Sequence, residues 1–246
     1  MSALLVRGML AGLASAAFAL VFAWIFGEPQ VNLAIGFEEQ QAAVAEAAHE
    51  HEVVSRTIQE TLGLAVGIGL FGVALGGLFA VAFAIAYGRI GSFGPRATAA
   101  LVAGGGFVAV ALVPLLKYPA NPPAVGNPDT VGTRTLLFFA LMAISIAIMV
   151  VSVQVGQRLA ARLGNWNAAL AGGGVFIALV AAAYLILPSV NEGSANFPAT
   201  VLWDFRVASL GVQAVLWTGL GLIFGALTER SLASRSRATP ISVTGA

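Results

Sequence analysis

Residues 58–87 read IQETLGLAVGIGLFGVALGGLFAVAFAIAY, and beyond Gln59 and Glu60 the stretch holds no charge and almost no polar side chain. A segment of about 20 mostly apolar residues is long enough to cross a bilayer as a helix. The same signature recurs at residues 4–26, 97–116, 135–155, 168–187 and 207–227, so six spans are expected. The first could be taken for a cleaved leader, but its apolar core exceeds the roughly 7 to 15 residues of such leaders. Little chain remains for a soluble domain. The spacing therefore predicts an all-α integral membrane protein with one transmembrane domain over 1–230 and a flexible cytoplasmic tail over 231–246.

Composition agrees with this reading. The chain has 59% hydrophobic and 9% charged residues and a mean hydropathy of +0.91, whereas a soluble domain carries about 25% charge. Its 29 glycines suit membrane helices, whose backbones approach closely where side chains are small. The absence of cysteine excludes disulfides, thiolate metal sites and cysteine nucleophiles. A net charge of +1 gives no reason to expect a nucleic acid partner.

Charge also sets an expected orientation. If the N-terminus is cytoplasmic, Arg7, Arg89, Arg96, Arg158, Arg162, Arg230, Arg235 and Arg237 fall inside with Glu229, a balance of +7. Outside, Arg56, Lys117, Arg134 and Arg206 meet the other ten carboxylates, a balance of −6. Basic residues resist translocation, so both termini are expected in the cytoplasm. The six spans also suggest three pseudo-repeated hairpins. Each odd span carries a Phe and then a Pro (Phe18 and Pro29, Phe107 and Pro119, Phe176 and Pro188), with Asn32, Asn121 or Asn191 close behind. Each even span starts after an arginine (Arg56, Arg134, Arg206), at intervals of 78 and 72 residues.

Residues 28–57 form the expected acidic outer loop, with Glu28, Glu38, Glu39, Glu46, Glu50 and Glu52 against Arg56 alone. Such a segment concentrates divalent cations. It also holds both histidines, in the run His49-Glu50-His51-Glu52. Imidazole and carboxylate suit cobalt, nickel, zinc or iron. If the segment is helical, Glu46, His49 and Glu50 share a face; if extended, His49 and His51 do. The alternative is a solvated acidic loop. These ligand types do not name the metal, because affinities follow the Irving–Williams order.

Ionisable groups inside spans are costly, and the polar residues here gather near the outer ends. Glu60, Gln213, Asn32, Asn121 and Asn191 are candidates for an ion route, while Arg56 pairing with Glu60, and Lys117 reaching the interface, are plainer alternatives. Gly69, Gly72, Gly76 and Ala80 share one helix face, and Gly104–Gly106 and Gly172–Gly174 mark two more spans; these read as packing surfaces. Four prolines between Pro119 and Pro128 rule out helix there and suggest a stiff cap or connector. The single lysine, Lys117, has no Walker A context, and neither a G-x-S-x-G elbow nor an H-E-x-x-H pair occurs, so an enzyme is not expected.

Several segments together resemble one family. LLVRGMLAG (4–12), FGEPQVNLAI (26–35), EVVSRTIQ (52–59), LVPLLKYPANPPAVGNPDTVGTRT (112–135), RLGNWNA (162–168) and FPATVLWDFRVASLG (197–211) are similar to the CbtA-type cobalt transporter subunits of bacteria. The resemblance covers nearly the whole chain, and KYPANPP is its most distinctive part. It implies cobalt uptake linked to vitamin B12 synthesis in the cytoplasmic membrane. It also implies a small single-span CbtB-type partner with a histidine-rich terminus, and no permanently bound cofactor. It carries no ligand residues across, so the His49–Glu52 site rests on the residues themselves. The competing expectation is a non-transporting scaffold that holds a partner, or a second copy, through its glycine-rich helices.

Overall fold

The computed structural model describes residues 1–44, 55–126, 128–190 and 197–238, and among these every regular element is helical. Eight α-helices follow one another: α1 (Ser2–Phe22), α2 (Glu28–Val44), α3 (Arg56–Ile58), α4 (Leu64–Ala86), α5 (Pro95–Gly106), α6 (Val113–Lys117), α7 (Pro128–Ile186) and α8 (Ala199–Ala238). π-Helical turns at Ala23–Gly27, Gln59–Gly63 and Phe107–Leu112 join α1 to α2, α3 to α4 and α5 to α6. Five continuous helices result that are long and apolar enough to cross a membrane.

The sequence predicts six spans, and the difference lies in α7. Residues 135–155 and 168–187 both fall on this helix of 59 residues, which is interrupted at Gly164. There φ is 73° and ψ is 164°, a backbone conformation open essentially to glycine alone. The chain doubles back at this point. Gly172 lies against Ser152 and Gly156, and Leu141 packs in one cluster with Ala183. The two limbs of α7 are thus an antiparallel hairpin with a glycine at its bend.

A second difference concerns residues 28–44, expected as loop. They continue the first span, so Ser2–Ala43 is a single helical run of 42 residues, about 63 Å at 1.5 Å per residue. The hydrocarbon core is about 30 Å thick, so α2 projects well beyond it. The expected tail is likewise helical up to Ala238.

Glycine governs how close the helices lie. In the antiparallel pair α1 and α4, Gly8 faces Gly76 and Gly12 faces Gly72, backbone against backbone. A Cβ on Gly72 would lie 2.6 Å from that of Ala16. Gly69, expected on the same stripe, is at the edge of the contact, 4.0 Å from Leu13. Helix α8 runs antiparallel to both α1 and α5, with Gly219 on Ser15, Gly221 on Ala103 and Gly225 on Arg96. The main core fills the space between them with Leu75, Phe79, Phe83, Leu216, Trp217, Leu220 and Phe224. There Phe224 makes edge contacts to Phe79 and Phe83 at 5.2 and 5.0 Å.

The hairpin of α7 docks on α6 through Val113, Tyr118, Leu141 and Ala183. Within the most apolar window, only 33% of residues are buried in Arg56–Ala86 and 17% in Asp129–Ile186. The remaining apolar surface, with Leu185 and Ile186 more than 80% exposed, calls for lipid or another chain around it.

Candidate functional site: two polar ends and three π-turns

One end of the bundle is held by arginine. Arg7 donates to Ser231 at 2.5 Å, Arg96 pairs with Glu229 at 2.6 Å, and Gln157 donates to the Arg89 carbonyl at 2.6 Å. The Arg7–Ser231 contact joins the start of α1 to the end of α8, so both helical termini lie at this end. Arg158, Arg162 and Arg230 are here too, the first two exposed beside Trp166 at the α7 bend.

At the opposite end, the three arginines that recur in the sequence have structural partners on the segments that follow the odd spans. Arg56 pairs with Glu28 and donates from Nε to Oδ1 of Asn32 at 3.0 Å. Arg134 donates to the Pro119 carbonyl. Arg206 donates to the Ala120 carbonyl at 3.3 Å and to Oδ1 of Asn121 at 3.1 Å. Arg56 thus takes Glu28 as its acid, the place the sequence offered to Glu60. The carboxamide oxygens of Asn32 and Asn121, both named as ion-route candidates, each accept from a guanidinium.

Lys117 reaches the Tyr184 carbonyl at 2.8 Å and lies 5.7 and 5.6 Å from the Tyr118 and Tyr184 rings. Tyr118, 2% exposed, donates to the Pro188 carbonyl at 2.7 Å. Burial pushes its hydroxyl above the usual range, which keeps it a donor. The proline-rich segment is non-helical, as its composition requires. It lies over the bundle end, where Val125 packs with Ala34 of α2 and with Phe197. A cavity of about 310 Å³ opens beneath it, lined by Tyr118, Pro119, Arg134 and Phe138 among others.

The proposed metal ligands Glu46, His49, Glu50, His51 and Glu52, and the ion-route candidate Asn191, lie outside the described residues. Among the described residues no three histidine or carboxylate groups gather where they could share a metal. Glu60 and Gln213 are both half-buried. Glu60 belongs to the second π-turn, and Gln213 is on α8 one turn before Trp217, which meets Gly106 of the third helical run.

The sequence reading did not identify the π-turns. Helix register places two of them side by side and the third about one turn away along the bundle. Extending the Gly8–Gly76 and Gly12–Gly72 pairing of α1 and α4 sets Ala23–Gly27 beside Gln59–Gly63. The α8 register, through Gly211 on Phe22 and Gly106 on Trp217, sets Phe107–Leu112 about one turn nearer the start of α1. Two of the turns end two residues before a proline, Pro29 and Pro114, whose missing N–H interrupts the helical ladder. The proline was the available signal, but proline alone does not tell a kink from a π-turn.

No curated protein and no solved structure matches this chain. The family model described as probable cobalt transporter subunit (CbtA) matches residues 1–229. That is nearly the full length, and the chain belongs to this family.

Proposed function

We propose that the chain is the multi-pass subunit of a divalent-metal uptake system, carrying cobalt inward across a bacterial cytoplasmic membrane. The two limbs of α7 then count as separate crossings, which makes six. Both termini face the cytoplasm, and the three hairpins are repeats of one unit. The observation that carries this reading is the separation of charge. Arg7, Arg89, Arg96, Arg158, Arg162 and Arg230 lie at the end that holds both termini, while Glu28, Glu38, Glu39, Glu60, Asp129 and Asp204 belong to the other. An acidic outer face raises the local concentration of a dication, and a basic inner face fixes orientation.

In this scheme α2 carries its acids outward as a helical stalk. His49 and His51, with Glu46, Glu50 and Glu52, take the ion there, and Glu60 and Gln213 line the route inward. Weak capture suits transport, because an ion bound too tightly does not leave. A CbtB-type single-span subunit completes the system. Its docking would cover apolar surface that this chain leaves exposed.

Replacing both His49 and His51 with Ala is expected to lower radioactive cobalt uptake several-fold at limiting metal, with recovery at saturating metal. The assay is run in cells stripped of other cobalt routes. Unchanged uptake at limiting cobalt removes the histidines from the mechanism. Purified chain in dye-loaded vesicles, alone and with its partner, separates transport from scaffolding, since a scaffold admits no cobalt in either arm.

A further inference from the structure

The third helical run contains a buried proline, Pro114, two residues beyond its π-turn. In the π-turn before it, the Val113 N–H bonds to the Val108 carbonyl, and Pro114 has no N–H to give. The Ala109 carbonyl therefore has neither its i+4 nor its i+5 donor. Ala109 is 3% exposed, and Pro114 is fully buried, so this acceptor is deep in the protein. The Glu28 N–H bonds to the Ala23 carbonyl in the same way ahead of Pro29, which frees the Trp24 carbonyl at the equivalent position of the first run.

Across the interface, Gly225 meets Arg96, Gly221 meets Ala103, and Trp217 meets Gly106. One turn further along, this antiparallel register brings Gln213 level with Ala109. The Gln213 amide makes no hydrogen bond among the described residues. One turn away on α8, Nε1 of Trp217, a residue 6% exposed, is buried with no partner. A cavity of about 240 Å³ is lined by Trp217 and, among others, by Phe107 and Ala214, which stand two residues and one residue along the chain from Ala109 and Gln213. Unsatisfied polar groups at membrane depth are tolerated where they line a water-filled path. Interrupted helices in transporters expose backbone carbonyls that coordinate cations.

We propose that the Ala109 carbonyl and the Gln213 side-chain oxygen form a transit site for the dication, next along the bundle from the cavity at Trp217. This rests on the transport reading above and adds to it a place and a ligand set. Neutral oxygens hold a dication loosely, which suits a step the ion must leave. Pro114 acts as a positioning residue, since its missing N–H is what frees the Ala109 carbonyl.

The test uses full-length chain in lipid vesicles, with Trp24, Trp166 and Trp203 changed to Phe so that Trp217 is the sole indole. Cobalt quenching of Trp217 reports binding. Gln213→Leu and Pro114→Ala are each expected to raise the half-saturating cobalt concentration about tenfold, and Gln213→Glu to lower it. Pro114→Ala restores an N–H to the helix, so it is expected to melt no lower than the parent, which separates lost ligation from lost folding. Wild-type half-saturation in both variants overturns the site while cellular cobalt uptake by the parent keeps the transport reading. A Pro114→Ala chain that binds cobalt normally but transports it slowly also overturns it, by making the π-turn a hinge. A parent chain that neither binds nor takes up cobalt overturns both.

Discussion

Gly76→Ala is expected to destabilise the protein although the substitution favours helix. Alanine exceeds glycine in helix propensity by about 1 kcal/mol, so the sign must come from packing. At Gly76 the new methyl would meet the Gly8 carbonyl oxygen far inside contact distance, with the Gly12 Cα 3.0 Å away. Both obstacles are backbone, so no rotamer change relieves them. Overpacking of this kind costs about 1–3 kcal/mol, and Gly76→Leu is expected to exceed that range by forcing α1 and α4 apart. Against a total stability of about 5–15 kcal/mol, such a loss lowers the melting midpoint measurably without unfolding the chain.

Gly67 is the control, because nothing lies within 4 Å of a Cβ there. Gly67→Ala keeps the propensity gain and is expected to melt at or above the parent. Thermal unfolding in detergent measures all three variants. Equal midpoints for Gly76→Leu and the parent would remove the close approach from the account of stability.

The α1–α4 contact was legible in the sequence because small residues at helical spacing have one ordinary use in a membrane. Gly72, Gly76 and Ala80 could be assigned to a face by counting turns. The apolar spans and the charge imbalance were legible for a similar reason, since each is a property of a local window. The non-helical proline segment followed from proline chemistry alone.

What counting could not reach depends on partners distant in sequence. Arg56 lies four residues from Glu60, which made that pairing attractive, yet Glu28 takes the position from 28 residues away. The path from Ser2 to Ala43 as one helix was hidden by Pro29 and by acidic residues that read as loop. A π-turn ahead of the proline absorbs the break, so the helix continues. The placing of Gln213 beside the third π-turn is a product of helix register, which only the packed structure supplies. Arginine contacts at Asn32 and Asn121 were equally invisible, although the recurrence of Arg, Pro and Asn marked those positions.

Gly164→Val is the second large effect, and it acts on the fold of α7. At φ 73° and ψ 164° a non-glycine residue is strained by about 1–3 kcal/mol, and a β-branched residue fits least. The sequence on both sides is helical, so the strain has an obvious release: residue 164 turns helical and α7 straightens. A continuous helix of 59 residues would be about 88 Å long. Straightening would separate Gly156 from Gly172 and Leu141 from Ala183, removing the cluster that docks the hairpin on α6. The unfavourable choices are therefore a strained hairpin or a lost interface, and either lowers stability.

The chain lacks cysteine, so Leu141→Cys with Ala183→Cys gives a clean reporter of the folded-back limbs. A short bifunctional thiol reagent is expected to cross-link this pair efficiently in the parent and poorly with Gly164→Val present. Gly173→Val, a change at a position with nothing within 4 Å of its Cβ, is expected to leave the cross-link intact. If Gly164→Val cross-links and melts like the parent, the bend does not depend on glycine. The hairpin would then be held by the packing of its limbs rather than by the conformation of its turn.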